Sequence, residues 1–99
     1  MASSDAPAPI IVGGREQLFH LLAEASEIEH TLMCSYLYAA FSLKTAGSAE
    51  FNDAERDAVA RWRKIILGVA TDEMSHLLLV ANLSVAVGGR PHFARPNFP

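Results

Sequence analysis

The stretch Ile65-Ile-Leu-Gly-Val-Ala-Thr-Asp-Glu-Met-Ser-His-Leu-Leu-Leu-Val80 decides how this chain folds. It is apolar for most of its length, yet it holds Glu73 and His76 near its centre. Placed at roughly 100° per residue, Trp62, Ile65, Val69, Glu73, His76, Val80, Leu83 and Val87 fall on one stripe of a helix. The ionisable pair therefore interrupts an apolar face. Upstream, Asn52-Asp-Ala-Glu55 has the form of an N-cap with a capping-box acid. Downstream, Gly88-Gly89 ends the pattern and Arg90-Pro91 prevents its continuation. These signals predict a helix from about Asp53 to Val87, interrupted only nominally by Gly68.

Working outward, Arg15 to about Thr45 contains neither proline nor glycine, and Gly47 supplies a stop. A second periodic stripe runs through Leu18, Leu22, Ala25, Glu29, Leu32, Tyr36, Ala39 and Leu43, again with one acid near its middle. No alternating strand pattern and no repeat of fixed period occurs. The chain is expected to be all-α, with residues 1–14 a disordered Pro/Ala/Ser tail. Residues 15–99 then form an antiparallel helical hairpin with an irregular C-terminal tail. Counted from the loop, Glu29 and Glu73 differ in depth by only about one helical turn, so the two stripes predict that Glu29, Glu73 and His76 converge.

At 99 residues, 51% apolar, the chain carries more apolar surface than one helix–helix seam buries. Self-association, or further helices, is expected. Helix 2 has a second apolar stripe, Leu67, Met74, Leu78, Ala81 and Val85, about 120° from the first, and it is expected to be covered in a homodimer of hairpins. A net charge of −3 with interspersed signs leaves no basic stripe for nucleic acid. The single Cys34 suits a reducing cytoplasm, and the N-terminus lacks the basic start and apolar run of a secretory signal. The run Ile65 to Val87 is long enough for a membrane span. Because it contains Thr71, Asp72, Glu73, His76 and Asn82, a core helix is the expected reading.

A carboxylate in an apolar seam is unfavourable by several kcal/mol unless it is paired or holds a cation. Di-iron and di-manganese four-helix bundles meet that condition with two Glu-x-x-His motifs and one Glu from each of two further helices. Glu73-Met-Ser-His76 with Glu29 is half of that set. Oxygen and imidazole ligands without thiolate suit Fe, alternatively Mn. The competing reading is a metal-free ion pair among the same residues. A second Glu-x-x-His, Glu27-Ile-Glu-His30, points largely away from the stripe, so Glu27 and His30 are second-tier ligand candidates. They come into play if a π-bulge shifts the helix phase. Tyr36, two turns beyond Glu29, either serves oxidative chemistry at the metal or fills space.

The run Leu21-Leu-Ala-Glu-Ala-Ser-Glu-Ile-Glu-His-Thr-Leu-Met-Cys-Ser-Tyr-Leu-Tyr-Ala-Ala-Phe-Ser-Leu-Lys44 resembles the ferritin-like domain of iminophenyl-pyruvate dimer synthases. So do Val69–Leu83 and Gly88–Pro99. That family is associated with bacterial bisindole pathways, where it oxidatively couples imines of aromatic pyruvates. The resemblance covers roughly residues 15–99 and implies a metal-binding ferritin-like four-helix bundle, with Glu29, Glu73 and His76 in the metal positions and Tyr36 nearby. This chain holds only the first two helices, so the bundle must be completed by dimerisation or by further helices. The expected function is metal binding in the service of oxidative chemistry, including oxidative coupling of aromatic imino acids, on a small-molecule substrate that the residues leave unnamed. The alternatives are a metal-free helical association module or fragment of a longer ferritin-like protein, and iron binding or oxidation without an organic substrate.

Overall fold

The computed structural model describes residues 6–45, 47–93 and 96. Within them the chain forms two antiparallel helices, α1 (Arg15–Ser42) and α2 (Asp53–Ala86), and no strand. Residues 7–13 have no regular secondary structure and are exposed; residues 1–5 of the expected disordered tail lie outside the described residues. The expected helix boundaries agree with the observed ones to within three residues at each end.

The start of α2 forms for the reason its sequence suggests. Asn52 Oδ1 accepts from Glu55 N at 2.8 Å, while Glu55 Oε1 accepts from Asn52 N at 3.0 Å. The two bonds satisfy two backbone donors that the first turn would leave open. The far end closes with a Schellman arrangement, Gly89 N to Ser84 O at 2.8 Å and Gly88 N to Val85 O at 3.0 Å. Gly88 adopts φ 92°, a region L side chains rarely enter. Arg15 bolts the two helix ends together there, donating from Nε and Nη2 to Val87 O at 3.0 and 2.8 Å. A cation near the C-terminus of α2 also complements its dipole. The loop end is held more lightly, by the Lys44–Glu50 ion pair and short turns through Ser48 and Phe51.

The seam between the helices differs from the expected one. Its buried positions are Ser26 and Ala40 in α1, and Val59, Ala70, Leu77, Ala81 and Ser84 in α2. Most are small, which lets the helices approach closely. The Leu18–Leu43 and Trp62–Val87 stripes lie instead on one flank of the hairpin. Leu32, Tyr36, Trp62, Ile65 and Leu83 are all exposed there, Ile65 at 64%. The stripe of Met74, Leu78 and Val85 lies on the other flank and is exposed too. Taking Ala70 as facing α1, Glu73 lies about 60° and His76 about 120° to one side; Met74 and Leu78 lie about 40° and 80° to the other. One interface therefore cannot cover both stripes while joining ligands, as the sequence reading expected. α1 inserts between them, covering Ala81 of the second stripe, and leaves the larger side chains of both outside the seam.

By length and composition α2 qualifies as a membrane-crossing helix, the only such helix among the described residues, as core helices of soluble proteins also do. Glu73 and His76 stand at its middle, facing Glu29 of α1.

Candidate metal centre

Glu29 lies about 60° round α1 from the buried Ser26, on the same flank as Glu73 and His76. In antiparallel helices, rotations of the same sense away from the seam open onto the same face. That is why three residues in phase with two exposed stripes still meet. One ligand atom from each of Glu29, Glu73 and His76 lies within 4.8 Å of the others. His76 Nδ1 is 3.4 Å from Glu29 Oε2 and 3.5 Å from Glu73 Oε2. Ligand atoms held about 2.1 Å from one small divalent ion lie roughly 3–4 Å apart, so these separations suit a shared cation.

With both acids ionised, Glu29 Oε2 and Glu73 Oε2 are sealed from solvent and neither accepts a hydrogen bond. The imidazole Nδ1 stands within ion-pair range of both. An acceptor sealed from water and left unsatisfied is unfavourable, more so when charged. Two such oxygens aimed at one point form an arrangement that a cation relieves. The residues present therefore fit a metal ion.

The electrostatics agree. Glu29 is held above the usual carboxylate range, first by hydrogen bonding with Glu73, then by burial and by repulsion from that carboxylate. Glu73 is held below it, first by the same Glu29 interaction and then by His76. His76 is raised, foremost by hydrogen bonding with Glu73 and then by attraction to Glu29. Two acids side by side oppose each other's ionisation, and the histidine beside them partly offsets that repulsion. A bound cation would favour the ionised form of both acids.

The second Glu-x-x-His stands elsewhere. Glu27 Oε1 pairs with His92 Nε2 at 3.0 Å, joining the C-terminal tail to the opposite flank of α1. His30 Nε2 is 3.8 Å from Cys34 Sγ. Neither Glu27 nor His30 belongs to the three-ligand cluster, and α1 runs without a π-bulge. The His92 pairing bridges 65 residues and has no local signal in the sequence. By contrast, His20 pairs with Glu24 at 3.0 Å at the helical i,i+4 spacing, which is a local signal in the sequence. Tyr36 stands on the metal-centre flank, 36% exposed.

A helical hairpin that brings one Glu and one Glu-x-x-His together on one flank has half of the donor set found in carboxylate-rich four-helix metal sites. The chain belongs to the ferritin-like family, whose model matches residues 22–99. It is similar to dichlorochromopyrrolate synthase of Lentzea aerocolonigenes, at 30% identity over 112 residues. The match takes in 87% of this chain and 11% of that protein, so the chain spans about a tenth of the length of the curated relative it matches. No solved structure matches.

Proposed function

We propose that this chain binds a redox-active divalent metal, iron or alternatively manganese, through Glu29, Glu73 and His76, and that the site serves oxidative chemistry. The observation that carries this reading is the pair of solvent-sealed carboxylate oxygens, Glu29 Oε2 and Glu73 Oε2, converging without a hydrogen-bond donor beside His76. All-oxygen-and-imidazole ligation favours Fe and Mn over metals that prefer sulfur. Such an ion supplies electron transfer and Lewis acidity when bound.

The chain's own residues define what surrounds it. Glu29 and Glu73 would offset the ion's charge, and His76 would supply a nitrogen ligand from the outer side of α2. Tyr36 and Trp62 stand on the same flank of the hairpin as these three residues. The similarity to a synthase of an aromatic pyrrole product supports, for this chain, oxidative coupling of aromatic imino acids as the substrate class. Iron oxidation without an organic substrate is the alternative, distinguished by the same experiment.

That experiment loads the protein anaerobically with Fe(II), admits dioxygen, and follows iron absorbance with and without imines of aromatic pyruvates. Oxidation that depends on Glu73 and yields a coupled organic product supports the full reading. Iron oxidation with the imines unchanged supports the alternative. Absence of iron binding overturns both. Tyr36→Phe should change the rate or product while leaving metal content intact; identical traces would leave Tyr36 as filler.

A further inference from the structure

We infer that the exposed flank bearing the metal centre is an interface for a second copy of this chain, and that the partner copy supplies the other half of the ligand set. The inference rests on the metal reading for the purpose of the ligands, but its geometric support is separate. Leu32, Tyr36, Trp62, Ile65 and Leu83 form an apolar border on both helices around the Glu29–Glu73–His76 cluster. Large apolar side chains flanking half-buried carboxylates are the composition of an interior, and here they face outward.

Three observations favour an identical copy as the occupant. First, the cluster has one Glu and one Glu-x-x-His, and a two-fold axis doubles this to two of each, the complete set for a pair of metal ions in a four-helix bundle. An isologous contact is self-complementary, so each copy presents the same face to the other. Second, the face is large enough. Two helices of 28 and 34 residues extend about 42 and 51 Å and lie about 10 Å apart. Together they offer on the order of 800 Å² per copy, the size of a standard stable interface. Third, the ligands lie at mid-length. Glu29 is the fifteenth of the 28 residues of α1 and Glu73 the twenty-first of the 34 of α2, so copies related by an axis through the cluster overlap along most of both helices.

Joining four carboxylates in one interior is unfavourable without cations, so metal and dimer must reinforce each other by mass action. The apolar border nonetheless supports association without metal. The test is sedimentation equilibrium on the full chain from about 1 to 100 µM, in chelator and in manganese(II), with the emission of the single Trp62 as a local reporter. The parent should be a dimer in chelator at tens of micromolar. Manganese should tighten it at least tenfold and bring two ions per dimer. Ile65→Glu should abolish the dimer, while Leu78→Glu, equally exposed on the opposite flank, should leave it intact. Helix loss with Ile65→Glu alone counts with dissociation, because Ile65 adds nothing to the hairpin's own seam; Leu83→Asn repeats the test more mildly.

A parent that stays a folded monomer throughout overturns the inference. So does a dimer broken by Leu78→Glu and indifferent to Ile65→Glu. A dimer that passes both variant tests yet takes up no metal upholds the interface and withdraws the metal reading, so the two fail separately.

Discussion

The two flanks of the hairpin are similar in hydrophobicity and different in chemistry. One carries Leu32, Tyr36, Trp62, Ile65 and Leu83 around three converging ionisable groups. The other carries Tyr38, Phe41, Met74, Leu78 and Val85, with Glu27 paired to His92. Apolar exposure alone would give the two flanks equal standing. The orphaned oxygens of Glu29 and Glu73 set them apart, because they are a deficit that a ligand removes. A functional face is marked here by an unmet electrostatic need rather than by exposed greasy area.

The largest effect that sharpens this contrast is a reversal. Measured in chelator, Glu29→Leu should raise thermal stability by about 1 kcal/mol, because it removes one of two crowded acids at a half-buried position. In saturating manganese the order should invert, since the parent gains about 2.7 kcal/mol at a metal concentration 100 times its Kd and the variant gains nothing. A variant that is less stable in both conditions would mean that the acids hold the hairpin together instead of waiting for an ion.

Next in size is the closed end, which both flanks share. Gly88→Ala forces a side chain into φ 92° with its Cβ 2.6 Å from Arg15 Nη2. It should cost about 1–2 kcal/mol in chemical denaturation and leave metal binding unchanged. Parent-like stability would show that Arg15 swings aside and that the Val87 contact carries little.

Asn52→Ala should cost about 1 kcal/mol through loss of the capping box. The smallest effect belongs to the opposite flank. His92→Ala or Glu27→Ala removes a partly exposed pair, and should lower stability by less than about 1 kcal/mol without altering metal content. Metal loss from either variant would break the distinction between the flanks.

Much of this was legible in the residues. Glycine, proline and the Asn52–Glu55 box mark where each helix begins and ends, because these are local rules of backbone geometry. The convergence of Glu29, Glu73 and His76 was legible as well, since equal phase on antiparallel helices opens onto one face. The seam was not. Periodicity weights large apolar residues, whereas the contact is built on Ser26, Ala40, Ala70, Ala81 and Ser84, whose value is that they take little room. The large residues were therefore assigned to the hairpin's own seam, while the fold holds them outside it. The Arg15–Val87 and Glu27–His92 contacts bridge 72 and 65 residues, and side-chain periodicity carries no information about them.

The central claim is that Glu29, Glu73 and His76 together hold a metal ion. Equilibrium dialysis against manganese(II), with ions counted per chain, tests it most directly. The account predicts one ion per chain for the parent, for Glu27→Ala and for His30→Ala, and at least a hundredfold weaker binding for Glu29→Ala, Glu73→Ala and His76→Ala. Undiminished uptake by Glu29→Ala, or loss of uptake in Glu27→Ala, would contradict it.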